Sequence, residues 1–371
     1  MKVHRSVPRT CWVATALAAL LLAGCAGSDG DAEATGEQQG TVDPAPDDSD
    51  DSDDSADAGE ASQDAEPADP EPAPPAVDPA EVGADELGQI PVLMYHQLRD
   101  GGGSEWDMSQ EEFRAELTQL FAAGYVPIRV IDLARGEIDV PAGSSPVVLT
   151  FDDSTRSQAY LDEDGNIAPD SSIGILIEVA AEFDVDPVAS LYVITSSLFG
   201  GTADGPDIVA HLHELGMEIG NHSHTHPNLR SLDAARVQDE LATNVAEVRS
   251  IVPDAEVATL SLPLGIFPED SSLAVAGSSP AGSYANEGVL LVGYNPAPSP
   301  FAVGFDPLAI PRIQTHPDVA YQFGSAWWLE QLEAGGSNRR YVSDGNPDTI
   351  SFPADRADDL DPAFADRANP Y

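Results

Sequence analysis

Eight histidines occur in this 371-residue chain, and three of them alternate within Gly220-Asn221-His222-Ser223-His224-Thr225-His226-Pro227. His222 and His226 are four apart with a proline immediately after, so the segment is a loop or single turn that can bring both imidazoles to one point. A second polar cluster, Asp152-Asp153, ends the apolar run Pro146 to Phe151. Two imidazoles and one carboxylate form a facial ligand set that leaves positions open for water and substrate, and Asp153 is the natural third ligand. Because Asp152 and Asp153 leave the strand together, one carboxylate can hold a metal ion while its neighbour takes a proton. Spaced histidines alone are more often a solvated polar loop than a ligand pair; the strand-end aspartate pair reverses that balance in favour of a metal site.

Elements must position these residues, and the pattern around them alternates. Ile90 to Leu98 is a short apolar run that predicts a buried strand with His96 near its end. Ser109-Gln110-Glu111-Glu112 predicts a capping box, opening a helix with Phe113, Leu117, Leu120 and Phe121 on one face and Gly124 as its stop. Strands follow at Tyr125 to Val130, Pro146 to Phe151, Val188 to Ile194, in a run ending at Ile219, and at Val257 to Leu262. Helices are predicted over 173–183, over 207–215, and from a Ser231 cap to about Ile251. Strands alternating with helices imply parallel pairing and right-handed crossovers, hence an α/β fold of distorted (β/α) barrel type. In such barrels chemistry gathers where strands end, and both polar clusters fall there.

Thr150-Phe151-Asp152-Asp153 together with Gly220-Asn221-His222-Ser223 and His226 resembles the first two motifs of the NodB-homology polysaccharide deacetylases, carbohydrate esterase family four. The likeness runs in motif order over about Ile90 to His316. It implies a distorted (β/α) barrel and metal-dependent hydrolysis of N-acetyl groups on a polysaccharide, commonly of N-acetylglucosamine. Carried over by position, Asp152 is the general base, and Asp153, His222 and His226 hold a divalent ion. Zinc is the first expectation, with cobalt, nickel and iron(II) equally suited to the ligands. His224 fills a variable position between the ligands.

The resemblance also implies a backbone N–H donor for the oxyanion, which falls on Leu264 of Ser261-Leu262-Pro263-Leu264. The arginine that orients the base in the family is missing, because Ser261 stands at its position. Arg312, in Ile310-Pro311-Arg312-Ile313, is the candidate substitute, although a structural ion pair explains it as well. No late histidine motif for the general acid is found. His96, in a Val-Leu-Met-Tyr-His run similar to one in the biofilm-exopolysaccharide deacetylase branch, is the first candidate for that acid, and His316 is the second. A pseudoenzyme that binds glycan without cleaving it, and a histidine-based metal-capture lipoprotein, remain as alternatives.

The ends of the chain bear on where this chemistry would happen. Residues 1–25 carry Lys2, Arg5 and Arg9, an apolar run from Trp12 to Leu22, and Leu22-Ala23-Gly24-Cys25. This reads as a lipoprotein signal peptide with Cys25 as the acylated residue, anchoring an extracytoplasmic protein to the cell membrane. Cys11 lies inside that signal, so no thiolate remains for metal binding beyond Cys25. Residues 26–88 hold 21 acidic side chains and no Lys or Arg, the composition of a disordered tether. The deacetylase domain is expected over 89–336 and a polar extension over 337–371. From residue 89 onward, 43 acidic residues face 13 arginines, a net charge of −30 that disfavours nucleic acid and anionic polymers. A monomer acting on an acetylated, uncharged or cationic polysaccharide is the expected state.

Within the insert 154–172, Asp162 to Asn166 reads as a hairpin turn, since its carboxylates lack the spacing of a calcium loop. The insert is expected to wall one side of the substrate groove. Trp327-Trp328 on a late helix is expected to serve mainly as a docking face.

Overall fold

Eight short, largely apolar segments form one sheet, and every pairing within it is parallel. The computed structural model describes residues 77–101 and 103–371. The signal peptide, Cys25 and tether residues 26–76 lie outside the described residues. The strands are β1 (Val92–Tyr95), β2 (Tyr125–Ile128), β3 (Ser145–Asp152), β4 (Ser190–Val193), β5 (Glu218–Asn221), β6 (Thr259–Ser261), β7 (Gly288–Leu290) and β8 (Ile313–Gln314). Their order is β7-β6-β5-β4-β3-β1-β8, with β2 paired to the first half of β3. β3 is buried along all eight residues, as a strand covered on both faces must be.

The sheet curls until its edges meet. Leu290 at the end of β7 bridges Ile310, three residues before β8, through Ile310 N to Val289 O and Leu291 N to Ile310 O, both 2.9 Å. Arg312 therefore sits in the seam between that bridge and β8. The distorted (β/α) barrel expected from the alternation is the observed architecture.

Helices α1 (Gln110–Ala122), α2 (Ser172–Glu182), α3 (Gly205–Glu214), α4 (Ala234–Ile251) and α5 (Ser325–Ala334) connect or flank the strands. α1 opens with the expected capping box: Glu112 N donates to Ser109 Oγ at 3.2 Å, and Ser109 N donates to Glu112 Oε2 at 2.8 Å. For α4 the cap differs from the expected Ser231. That hydroxyl donates to Asn228 O within a 3-10 turn, and the carboxylate of Asp233 accepts from Arg236 N instead. The aspartate also places negative charge at the positive end of an 18-residue helix.

The domain boundary expected at 88 falls inside the fold. A short helix Pro79–Val82 starts the described chain, and Ala84 to Leu87 are buried. The extension after 336 packs against this segment: Gln89 N donates to Arg339 O, Asp85 pairs with Val342, and Ser351 N donates to Glu86 Oε2 from a strand, Ile350–Phe352, that is itself paired with Ala368–Pro370. Leu87, Ile90, Tyr341, Ile350 and Phe352 form one cluster with Val92, Val148 and Leu290 of the barrel. A Cβ at residue 88 would lie 2.3 Å from Arg340 O, so only glycine admits this approach. Acidic, proline-rich composition continues to residue 88, which is why composition alone runs the tether too far.

Glu86 shows how tightly this strap is built. It accepts from Ser351 N at 2.7 Å and from the Tyr341 hydroxyl at 3.0 Å. Burial, with Asp344 nearby, pushes its carboxyl up to about 7. A carboxyl raised on folding binds its proton more tightly in the native state, so its contribution is full below about pH 4.5 and is lost as pH rises through about 7. Wild-type protein should therefore lose stability across that window, by at most about 3 kcal/mol from this group. Urea unfolding of Glu86→Gln should show a flatter pH profile between 4.5 and 7.

Candidate active site

Asp152 is the last residue of β3, and the chain leaves the sheet immediately after it, with Asp153 at φ 78° and Ser154 at φ 43°. The Asp152 side chain stays inside the barrel, where Arg312 meets it from the seam. Arg312 Nη1 donates to Oδ1 and Nη2 to Oδ2, each at 2.8 Å, and the guanidinium is fully buried. Arg312 Nε donates to Leu291 O at 2.8 Å, fixing the plane of the fork. Ser261 Oγ donates to Asp152 Oδ2 at 3.0 Å. Burial alone would raise the Asp152 carboxyl, but Arg312 and His222 outweigh it and hold it well below the usual carboxylate range. A two-point clamp of this kind fixes direction as well as charge.

β5 ends at Asn221 and delivers His222. Its Nδ1 lies 2.7 Å from the carbonyl oxygen of Ser261, so that nitrogen carries the proton and donates, leaving Nε2 free to act as a ligand. The turn that follows is held from within, where Ser223 N donates to Asn221 Oδ1 and His226 N to Ser223 Oγ, and from α4, where Asn244 Nδ2 donates to the carbonyls of Val193 and Ser223. Ser223 and His226 both take positive φ, 62° and 56°. Five of the eight described non-glycine residues with positive φ, namely Asp153, Ser154, Ser223, His226 and Leu264, lie at this end of the barrel. Each such conformation costs on the order of 1–3 kcal/mol, and strain concentrated this way marks a site whose geometry is over-determined.

The strained turns converge. Asp153 Oδ1 lies 3.3 Å from His222 Nε2 and 3.5 Å from His226 Nε2. Ligand atoms around a tetrahedral ion with bonds of about 2.0–2.1 Å stand about 3.3 Å apart, so Asp153 stands at ligand spacing from both histidines, and the three donors, all within 4.8 Å of one another, could hold one divalent ion. Burial would raise Asp153, but a doubly protonated His222, whose Nε2–H then faces it, keeps its carboxyl low; a bound ion would take the place of that proton. Two ionised carboxylates against one guanidinium leave an excess negative charge where a cation would sit.

His96 joins the same cavity of about 370 Å³ as Asp152, Asp153, His222, His226 and Leu264. Its ring packs against Trp106 at 5.5 Å, and its Nδ1 is buried with no partner among the described residues. Burial pulls its pKa below the ordinary histidine value, against the opposing pull of Asp152 and Asp153. Leu264 stands at the rim with φ 60° and its side chain largely exposed. His316 is not brought here: it accepts from Asp318 N at 3.1 Å and stacks on Tyr321 at 4.0 Å. His224 also turns away, its Nδ1 lying 3.0 Å from both Thr195 Oγ1 and Glu247 Oε2.

The family profile described as polysaccharide deacetylase matches residues 139–278, which carry Asp152, Asp153, His222, His226, Ser261 and Leu264. Within those residues the chain resembles the polysaccharide deacetylases. A chitooligosaccharide deacetylase of Bradyrhizobium sp. (strain ANU 289) is 27% identical to this chain over 146 residues, 39% of this chain and 57% of the relative. The match thus spans little more than half of that relative's length. Solved structures similar to the chain include the Streptococcus pyogenes deacetylase PplD in complex with acetate, 17% identical, covering 62% of this chain and 94% of that one, TM-score 0.47. IcaB from Ammonifex degensii is 16% identical over 64% of this chain and 97% of that one, TM-score 0.44.

Beyond the two aspartate and histidine motifs, several participants escape sequence reading. Ser261 marks a missing arginine, yet its hydroxyl and carbonyl serve Asp152 and His222 together. Trp106 and Gln158 give no local signal: Trp106 meets the His96 ring across a loop, and Gln158 reaches His96 O across 62 residues as well as the nearby Asp152 O. Asp162 to Asn166 does form a turn, with Asp162 Oδ1 accepting from Asp164 N and Asn166 N and Leu161 bridging Ile167. Trp328 is buried and donates to Tyr294 O, so it docks its helix.

The two kinds of histidine should separate in a binding experiment. By competition with a chromogenic chelator, His226→Ala should weaken zinc binding by more than about 100-fold, beyond the loss typical of an outer partner. His224→Ala should stay within about threefold of wild type; a comparable loss there would favour metal capture by all three histidines.

Proposed function

We propose that the domain is a metal-dependent hydrolase that removes N-acetyl groups from an N-acetylglucosamine-type polysaccharide. The observation that carries this reading is the Arg312–Asp152 clamp one residue from the Asp153, His222, His226 cluster, all opening on one cavity. It answers the main sequence objection, since a guanidinium reaches the base from residue 312 although residue 261 is serine. That weakens the pseudoenzyme alternative.

A divalent ion held by Asp153, His222 and His226 would supply Lewis acidity, polarising the acyl carbonyl and acidifying water. Asp152, ionised and aimed by Arg312, accepts the proton of the attacking water. The Leu264 N–H donates to the oxyanion that develops on the acyl oxygen. His96, neutral at rest because it is buried, takes up the proton that Asp152 removes from the water and passes it to the leaving amine. The Arg312 clamp lowers the basicity of Asp152 and in return fixes its orientation. The excess of acidic side chains suits an uncharged or partly deacetylated, hence cationic, polymer.

For location, we propose an extracytoplasmic protein held to the membrane by a lipid on Cys25. Cys25→Ser should shift the protein from the membrane fraction to the soluble one. For chemistry, the soluble domain loaded with zinc or cobalt should release acetate from N-acetylated chito-oligomers. Asp152→Asn should lower kcat by about 10² to 10⁴-fold with the metal retained. Failure to release acetate from any N- or O-acetylated glycan, with metal bound, would sink the hydrolase reading. Glycan binding indifferent to Asp152→Asn would then favour the pseudoenzyme.

A further inference from the structure

The insert after the aspartate pair holds a fully buried polar side chain that the mechanism above does not use. Gln158 Nε2 donates to His96 O at 2.6 Å and to Asp152 O at 2.5 Å. Both acceptors are carbonyl oxygens, so only the nitrogen end of the amide can face them, and its two N–H groups serve one each. The Gln158 Oε1 is buried without a partner among the described residues, a cost accepted for the sake of the two donors. Neighbours reinforce the same junction. Thr155 Oγ1 donates to His96 O, Leu98 N donates to Ser157 Oγ, and Ile194 N donates to Ser154 Oγ. Residues 154–158 thus tie together the chain just beyond β1, β3 and β4, where the strained turn at Asp153 and Ser154 begins.

We propose that Gln158 is a positioning residue that sets the spacing between His96 and the Asp152-Asp153 pair. The insert is then a strut beneath the reacting groups, in addition to the groove wall expected from sequence. This inference rests on the deacetylase reading for the roles of His96 and Asp152. Its structural content, the tether between two strand ends, does not depend on that reading.

Gln158→Met keeps the length of the side chain and removes both N–H groups. In the cobalt-loaded enzyme, kcat should fall by about 30 to 100-fold with KM within threefold, as a misplacement of about 1 Å would produce. Cobalt affinity, read by chelator competition, should weaken about tenfold through the loosened Asp153 turn. Should the methionine variant fail to fold, Gln158→Glu provides the second test. Its carboxylate cannot donate, but its protonated form can donate one bond, so its kcat relative to wild type should rise as pH falls. A Gln158→Met variant with kcat within threefold and cobalt affinity within twofold of wild type overturns the proposal, as does a pH-independent ratio for Gln158→Glu. If the wild type itself releases no acetate, the deacetylase reading fails and the cobalt affinity of Gln158→Met alone decides the role of the strut.

Discussion

A carboxylate and a guanidinium meet inside this barrel, the guanidinium fully buried and the carboxylate showing only one edge to the cavity, and the rest of the site is arranged around that pair. Two isolated charges in such a place would be strongly destabilising, and even a well-formed buried pair adds little net stability. Its value here is direction. The fork of Arg312 admits one orientation of Asp152, and Leu291 O and Thr150 Oγ1 admit one orientation of the fork. Because Arg312 lies in the seam where β7 meets the lead-in to β8, closing the barrel and aiming the carboxylate are one event. A loosened seam would leave Asp152 buried beside an unmatched cation or none.

From that pair the constraints spread outward through main-chain atoms. Ser261 offers its hydroxyl to Asp152 and its carbonyl to His222, so the base and one histidine are indexed to a single residue of β6. The His222–His226 turn is indexed to α4 through Asn244, and the Asp153 turn to the insert through Gln158 and Ser154. Positive φ at Asp153, Ser223 and His226 is tolerated because every such turn is pinned from a neighbouring element. The three ligand atoms thereby gather within 4.8 Å of one another.

Much of this was legible in the sequence because it is local. The alternation of apolar runs and helical faces gives the barrel; Ser109 and Glu112 give a helix start; the Asp152-Asp153 and His222/His226 spacings give the ligand cluster. What escaped is what depends on contact between distant segments. Arg312 could be suspected as the missing cation, yet its partner lies 160 residues away and only the closed sheet joins them. Gln158 reads as an ordinary polar residue of an insert until the carbonyls of His96 and Asp152 are seen beside it. The strap at 84–88 was hidden for a different reason: its acidic, proline-rich surroundings resemble a tether, and its anchor is the far end of the chain. Ser231 and Asp233 both satisfy the cap rule, and only the engagement of the serine hydroxyl with Asn228 decides between them.

The strap gives the molecule a back and a front. Ala84 to Gln89 and the segment around Arg339 to Val342 are stitched together beside the beginnings of the strands, while the cavity opens where the strands end. Residues 77–89 supply none of the cavity lining, so the tying of the two ends of the described chain and the chemistry occupy opposite ends of one sheet.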